Sequence, residues 1–531
     1  MDPSRGAKKT AATPPTPCDQ PVMLPVGRDL EIKFKTNSEG LKLALRSELL
    51  STGAPDTRRR TLRSVYFDTP AGDLQKHQMF LRVRKVRNTH IMGLKEGRPL
   101  AEAPFSRREI EVRVPRLDPD ITRFGDAIAA ELNRVIDGQP LEQKFETQIK
   151  RRLRCLNLER SLIEVAFDEG FIVVGDRRHP LTEIDLDLKT GEETAFYDLA
   201  VRLADTLPFQ LDVMSTAERG FMLRADYHPL PVRTTDLEFP ANATLDNAVE
   251  IVISSALCQF VENWPAMVET QDLESVHQMR VALRRLRTAL AFFDRALPCA
   301  EFKEFRAEAK RIASALGPAR NWDAFRELVE DGPRTLLAPG ESFEALLSAV
   351  EERRAAAYAI TQDLIHDPAT TRFVLNLQAF LARRAWRNAL SGAELSRLTE
   401  PASLFAGKTL ERLHKRAIKR GRRLLHKPPN ERHKVRIVLK NIRYTAEFFS
   451  SFFAGARPYI RAVAKLQDGL GAFNDAASAT HHLRDVEAAA GPQAAKAVGI
   501  VLGWCGRGAA NADDNLRKNW KHFKRTRPFW S

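Results

Sequence analysis

Asp29-Leu30-Glu31-Ile32-Lys33-Phe34-Lys35 alternates charged and apolar residues without a break. Side chains on a β-strand project to opposite faces with a period of two. Asp29, Glu31, Lys33 and Lys35 therefore share one face, and Leu30, Ile32 and Phe34 the other. Two carboxylates beside two ammonium groups suit a ligand that is both anionic and metal-bound. A magnesium polyphosphate is such a ligand, because Mg²⁺ is a hard cation held by one or two carboxylates plus substrate phosphates.

The same alternation returns downstream. Arg82 and Arg84 oppose Leu81 and Val83, and Glu109, Glu111 and Arg113 fall together. Lys150, Arg152 and Arg154 share a face, as do Glu164 and Asp168 opposite Ile163, Val165 and Phe167. Glu183, Asp185, Asp187 and Lys189 oppose Ile184, Leu186 and Leu188. A half-exposed antiparallel sheet also alternates. Faces sorted by sign instead point to a closed barrel with a polar lumen and helices on its outer surface. Arg82, Arg84, Lys95, Arg152 and Arg154 crowded into such a lumen would repel one another without an anion, which a bound polyphosphate would supply.

The elements that position these residues follow from periodicity. Leu41, Ala44, Leu45 and Leu49 predict a helix over 37–52, with Ser38 as its cap. Strands are expected over 63–68, 79–86, 91–95 and 107–113, and a helix over 126–136. The first half thus reads as an α+β antiparallel β-barrel over residues 26–228, after a Pro-, Ala- and Thr-rich tail over 1–25 expected to be disordered. Pro229, Pro231 and Pro240 mark a linker over 229–242.

Beyond it the pattern is helical. His277, Arg280, Arg284 and Arg287 fall on one helix face beside an apolar stripe of Val276, Met279, Leu283 and Leu286. His433, Arg436, Lys440 and Arg443 repeat the arrangement beside Val435, Leu439 and Ile442. Leu316-Gly317 with Arg320 and Asp323 is echoed by Leu470-Gly471 with Asn474 and Asp475. Two copies in one chain predict duplicated all-α bundles over 243–520, with repeats over 246–395 and 401–520. Residues 401–443 hold fourteen Lys or Arg against Glu411 and Glu431, and Arg412, Lys415, Lys419, Arg422 and Arg423 extend the basic surface.

A chain of 531 residues with a net charge of +15 expects several domains and a polyanionic partner. No uninterrupted apolar run is long enough for a membrane span, so no membrane partner is expected. Cys18, Cys155, Cys258, Cys299 and Cys505 are scattered, without paired spacing. That argues against a disulfide framework or zinc site and for a reducing cytoplasm.

The first half resembles the CYTH superfamily, the triphosphate tunnel metalloenzymes. The resemblance rests on Asp29-x-Glu31-x-Lys33 against the ExExK signature, Tyr66-Phe67-Asp68-Thr69-Pro70, Leu81-Arg82-Val83-Arg84 and Gly93-Leu94-Lys95. It continues through Arg108-Glu109-x-Glu111, Glu183-x-Asp185-x-Asp187 and Ser215-Thr216-Ala217-Glu218-Arg219-Gly220. The second half is similar to the CHAD domain through its two HxxR helices.

The CYTH resemblance implies a triphosphate tunnel binding Mg²⁺ or Mn²⁺. Its metal-side acids would be Asp29, Glu31, Glu111, Glu183, Asp185 and Asp187. Its phosphate ligands would be Lys33, Lys35, Arg82, Arg84, Lys95, Arg108, Arg152 and Arg154, with Glu31, Asp29 and Lys33 at the reacting centre. The CHAD resemblance implies inorganic polyphosphate binding by His277, Arg280, Arg284, Arg287, Arg320, Arg412, Lys415, Lys419, Arg423, His433, Arg436, Lys440 and Arg443. Two residues depart from the tunnel pattern: Asp29 stands where Glu is usual, and Thr216 where Lys is usual.

The expected activity is metal-dependent hydrolysis of inorganic triphosphate or short polyphosphate, with the helical half holding long polyphosphate, in the cytoplasm or at polyphosphate granules. The alternative is a polyphosphate-binding protein with a weak or inactive tunnel. Nucleic acid fits less well, since no base-reading motif accompanies the basic runs.

Overall fold

The computed structural model describes residues 27–51, 58–97, 99, 103–225, 227–336 and 341–530. The tail expected over 1–25 lies outside them. The chain divides into two compact units: residues up to Arg98 with Phe105–Leu199 and Ser215–Tyr227, and Pro99–Pro104 with Ala200–Met214 and His228–Ser531.

The first unit is built on eight antiparallel strands: β1 (Gly27–Lys35), β2 (Arg58–Asp68), β3 (Met79–Val86), β4 (Thr89–Glu96), β5 (Ser106–Val114), β6 (Glu142–Leu158), β7 (Ser161–Val174) and β8 (Arg177–Thr190). They run in the order β5-β4-β3-β2-β6-β7-β8-β1, and β1 pairs back onto β5. The sheet therefore closes and leaves no edge along this circuit. Register sets the site: Glu31 lies opposite Asp187 and Lys33 opposite Asp185, while Arg151 lies opposite Asp168 and Asp168 opposite Glu183.

On β2 to β5 the outward face carries an apolar patch. Val65, Leu81, Val83, Met92, Leu94 and Ile110 form a buried cluster with Ile128, Leu132 and Ile136 of α3 (Asp126–Ile136). Two shorter helices precede it, α1 (Ser38–Arg46) and α2 (Asp73–Lys76). The cap of α1 is Asn37, whose side chain accepts from the Gly40 amide. Ser38, expected to be the cap, is the first helical residue and donates to Glu169 instead. The helix is also shorter than predicted, giving way to a 3-10 turn over Glu48–Leu50.

After β8 come α4 (Glu193–Thr206), whose residues the two units share, and α5 (Thr216–Leu223). Ser215 and Glu218 close a capping box on α5. The helix meets inward-facing Phe145, Tyr66, Phe80 and Ile149 through Ala217 and Phe221. Gly220 lies so near β6 that a Cβ built there would be 2.0 Å from the Phe145 ring.

The second unit is all-α: α6 (Leu245–Glu262), α7 (Leu273–Ala296), α8 (Ala300–Ala315), α9 (Gly317–Asp331), α10 (Glu341–His366), α11 (Pro368–Ala382), α12 (Gly392–Arg397), α13 (Ala402–Arg420), α14 (Pro429–Phe448), α15 (Ala456–Ala490) and α16 (Ala495–Arg525). The two helical halves interlock rather than forming separate bundles. Leu245 N–H donates to Glu400 O and Ala402 N–H to Ala243 O, at 2.8 and 2.9 Å. α6 packs on α13 and α7 on α14. The stripes beside the basic residues are core: Val276, Met279, Leu283 and Leu286 are fully buried, as are Leu439 and Ile442.

Residues 229–242 are irregular, but they lie against the helical unit instead of hanging free. Val232 exchanges two backbone bonds with the Asn263 side chain, and Phe239 stacks on Phe449 and Phe452. The last helix continues to Arg525, past the expected boundary at 520. Among the described residues one segment, Leu245–Thr270, is long and apolar enough to cross a membrane, and 83% of its apolar window is buried within the protein. Cys258, Cys299 and Cys505 are free and buried.

Candidate functional site

The barrel lumen is a cavity of about 1120 Å³ in which acids and bases interleave. Lys33 Nζ lies 2.5 Å from Asp185 Oδ1, 3.2 Å from Glu183 Oε1 and 3.4 Å from Glu31 Oε1. Lys95 Nζ bridges Asp29 at 3.0 Å, Glu31 at 2.5 Å and Glu109 at 3.2 Å. Arg82 joins Glu109 and Glu111 at 2.7 and 3.0 Å. Arg151 forks onto both oxygens of the fully buried Asp168, at 2.8 and 2.6 Å, and reaches Asp185 at 3.4 Å. Arg84 differs: its Nε donates to Ser64 Oγ, and no carboxylate pairs with it among the described residues.

Burial and neighbours set the protonation of this network. Burial opposes charge on Glu31, but Lys95 and Lys33 outweigh it and hold the carboxyl well below its usual range. Burial likewise opposes charge on Glu109, yet Lys95 and Arg82 take it to about 2. Asp29 goes the other way. Burial, reinforced by Glu109, Asp187 and Glu31, overcomes Lys95 and raises its carboxyl to about 7. Burial also works against the charge on Lys33, but Asp185, Glu183 and Glu31 more than compensate. Burial, Arg82 and Arg151 together push Arg84 down.

A divalent cation fits this donor set. Asp168, Glu183 and Asp185 are all buried and can offer oxygen atoms within 4.8 Å of one another, and hard cations prefer such ligands. Thr216, at the start of α5, donates to Glu183 Oε1 at 3.2 Å and lines the cavity.

Most of the sequence-predicted lumen residues meet here: Asp29, Glu31, Lys33, Arg82, Arg84, Lys95, Glu111, Glu183, Asp185 and Asp187 all line the cavity. Four expected phosphate ligands do not. Lys35 is exposed at the end of β1. Arg108 points outward and pairs with Glu96 at 2.9 Å. Arg152 and Arg154 lie on the outer parity of β6, and Arg154 caps the Leu45 and Leu50 carbonyls. The inward parity of β6 is Thr147, Ile149, Arg151 and Leu153, so aliphatic residues at 149 and 153 disguised the lumen face. Arg151 and Asp168 were missed as site residues, and Glu109 as more than a strand-face residue. The hairpin at Glu159-Arg160 fixes the Arg151–Asp168 pairing by counting back from the turn, but that turn lacks Gly or Asn, and Glu159 itself takes a φ of 54°.

The helical unit carries a second cluster of cations. α7 and α14 pack side by side, and Thr288 on α7 meets Asn441 on α14 at 3.3 Å. Lys440 is pushed down to about 7 by burial and by Arg284, Arg436, Arg443 and Arg280. One cluster therefore draws cations from both helices. The buried Nε atoms of Arg280, Arg284 and Arg287 have no hydrogen-bond partner among the described residues. Arg280 is aimed by the Ala313 carbonyl at the end of α8, at 2.9 Å.

The two histidines are not equivalent. His277 is half-buried and bonded to Arg320, whereas His433 is exposed. Arg412, Lys415, Lys419 and Arg423 are exposed on or just after α13, with Lys415 paired to Glu411. Asp323 is fully buried and binds Arg354 and Tyr358, a structural network. The side chains of its sequence counterparts, Asn474 and Asp475, lie outside the described residues.

The CYTH domain family matches residues 28–221 and the CHAD domain family residues 251–484. The chain thus carries a CYTH domain, which forms the closed barrel, followed by a CHAD domain in the helical region. It is 28% identical over 166 residues to an inorganic triphosphatase of Haemophilus influenzae, a match spanning 30% of this chain and 46% of the relative, under half of its length. It is 25% identical to an uncharacterized protein of Mycobacterium tuberculosis (strain H37Rv), over 78% of this chain and 80% of the relative. Among solved structures, the CHAD domain from Ricinus communis is 28% identical, covering 56% of this chain and 98% of that one at a TM-score of 0.48.

Proposed function

We propose that the barrel hydrolyses inorganic triphosphate or short polyphosphate with Mg²⁺ or Mn²⁺, and that the helical unit binds inorganic polyphosphate. The single observation carrying the first part is the lumen itself, where buried acids that can hold a cation interleave with Arg82, Arg84 and Lys95. The relative named as an inorganic triphosphatase supports the same reaction class.

Asp168, Glu183 and Asp185, with Glu31 beside them, would hold the metal. When bound, it would neutralise charge on phosphate oxygens and acidify a water. The rest falls to the chain's own groups. Arg84, with no carboxylate partner, is open to a phosphate oxygen, and Arg82 stands beside it on β3. Phosphoryl transfer needs positioning and charge neutralisation more than covalent chemistry; water is the nucleophile, and none is required from the protein. Asp29, joined to Lys95 at 3.0 Å on the lumen wall, or Glu31 beside it would orient the attacking water. Thr216 binds Glu183 where the family pattern has Lys, so the site has one phosphate-binding cation fewer.

The test is phosphate release from inorganic triphosphate by the full-length protein, with and without Mg²⁺ or Mn²⁺, beside Glu31→Gln. Metal-dependent release lost in the variant supports the reading. No release by a protein that still binds polyphosphate would overturn the enzyme and leave the alternative, a polyphosphate-binding protein with an inactive tunnel.

A further inference from the structure

The histidine of α7 invites assignment as a phosphate contact, and the geometry argues otherwise. Arg320 Nε, on α9, donates to His277 Nδ1 at 3.0 Å. An imidazole nitrogen that accepts a hydrogen bond carries no proton, so the ring making this bond is neutral. Its surroundings enforce that state. Burial and then Arg320, with Arg284 and Arg280 beyond, outweigh Glu274 and lower the imidazole to about 4. A cationic ring would stand among three guanidinium groups while losing its bond to one of them.

Arg320 is held from two sides. His277 takes its Nε, and Glu327 takes Nη1 at 3.2 Å. Its remaining terminal nitrogen, Nη2, donates to no described residue. Nearby, Gly317 leaves room for Arg280, whose Nη1 would lie 3.0 Å from a Cβ built at that glycine. α9 therefore begins against the same guanidinium cluster that α7 and α14 build.

We propose that His277 is a neutral positioning residue, not a cationic phosphate contact: its Nδ1 accepts from Arg320 Nε and aims that guanidinium at bound phosphate. The proposal rests on the reading that the helical unit binds inorganic polyphosphate. It also separates the two repeats, because His433 is exposed and holds no arginine in this way among the described residues.

The test has two arms on the full-length protein. In the first, histidines are labelled with ¹⁵N and the His277 signal is assigned by its loss in His277→Asn. The expected spectrum shows an unprotonated Nδ1 and a protonated Nε2, without titration between about pH 5.5 and 8. Titration near pH 6.5 would overturn the proposal.

In the second arm, affinity for inorganic polyphosphate is measured for His277→Ala, Arg320→Ala, the double variant and His277→Asn. An asparagine amide oxygen can stand where Nδ1 does, so His277→Asn should bind within about twofold of wild type. His277→Ala and Arg320→Ala should each lose about tenfold, in keeping with one charge-assisted hydrogen bond. The double variant should lose no more than either single one, because both act on one interaction. Additive losses, or His277→Asn as weak as His277→Ala, would overturn the positioning role alone. Wild-type protein that does not bind polyphosphate would overturn the reading of the helical unit and leave Arg320 nothing to aim at. The imidazole titration would still decide the charge and partner of His277.

Discussion

The barrel and the helical face are both lined with cations, and they neutralise them in opposite ways. In the lumen, Lys33, Lys95, Arg82 and Arg151 each lie between carboxylates, and Lys33 and Lys95 are pushed above their usual range. On α7 and α14, Arg280, Arg284 and Lys440 crowd together, with Arg443 held by Glu447 at 3.2 Å, and Arg280 and Lys440 are pushed below their usual range. A lumen already balanced in charge can exchange its internal partners for a cation and an anion together. A face where cations outnumber acids would be completed by an anion alone.

The largest effect expected from this contrast is on barrel stability. Arg151→Ala leaves the fully buried Asp168 without its fork, which should cost about 3–5 kcal/mol in unfolding free energy. A loss below 1 kcal/mol would show that Asp168 is neutral in the folded protein and that the lumen is not balanced as described. Next, Glu31→Gln removes one carboxylate shared by Lys33 and Lys95. Triphosphate turnover should fall about 100-fold with polyphosphate affinity unchanged, and an equal fall in both would show that the two sites act as one.

The helical face should respond with the opposite sign. Lys440→Met removes a buried cation that has no carboxylate partner among the described residues, so stability should rise by about 1 kcal/mol while polyphosphate affinity drops, as read by thermal melts and titration. The smallest effect is protonic. Lys440 stands near 7 in the free protein, and an anion beside it would raise that value. Binding therefore takes up a fraction of a proton, and affinity falls as pH climbs above 7. Calorimetry in buffers of different ionisation enthalpy would detect this uptake, which should vanish in Lys440→Met. The sign for folding is reversed. The unfolded lysine, near 10.5, holds its proton where the folded one has lost it, so stability rises with pH between about 7 and 10.5.

The opening strand, β8 and the two basic helices were legible because each puts its charges on one face and its aliphatics on the other. β6 was not. Its basic residues occupy both faces, and its inward face carries Ile149 and Leu153, so alternation alone selected Arg152 and Arg154 over Arg151. The repeat at His277 and His433 was visible as spacing, but spacing does not carry burial. Arg320 comes to His277 from a helix forty residues on, and no local pattern announces that meeting. The linker prolines mark a break in the sequence pattern. What they could not show was Asn263 and Phe449 waiting to fix the segment in place.

Gly220 sets how deep one wall of the lumen can lie. The Phe145 ring fills the space a methyl group would need, and that ring is itself stacked on Tyr66 at 4.4 Å and edge-on to Phe221 at 5.2 Å. One turn before it, Thr216 reaches Glu183. The absence of a single carbon at position 220 thus acts as a spacer between a hydrophobic stack and the acid cluster. A side chain at this position would have to displace the Phe145 ring or α5, and with α5 the Thr216 hydroxyl.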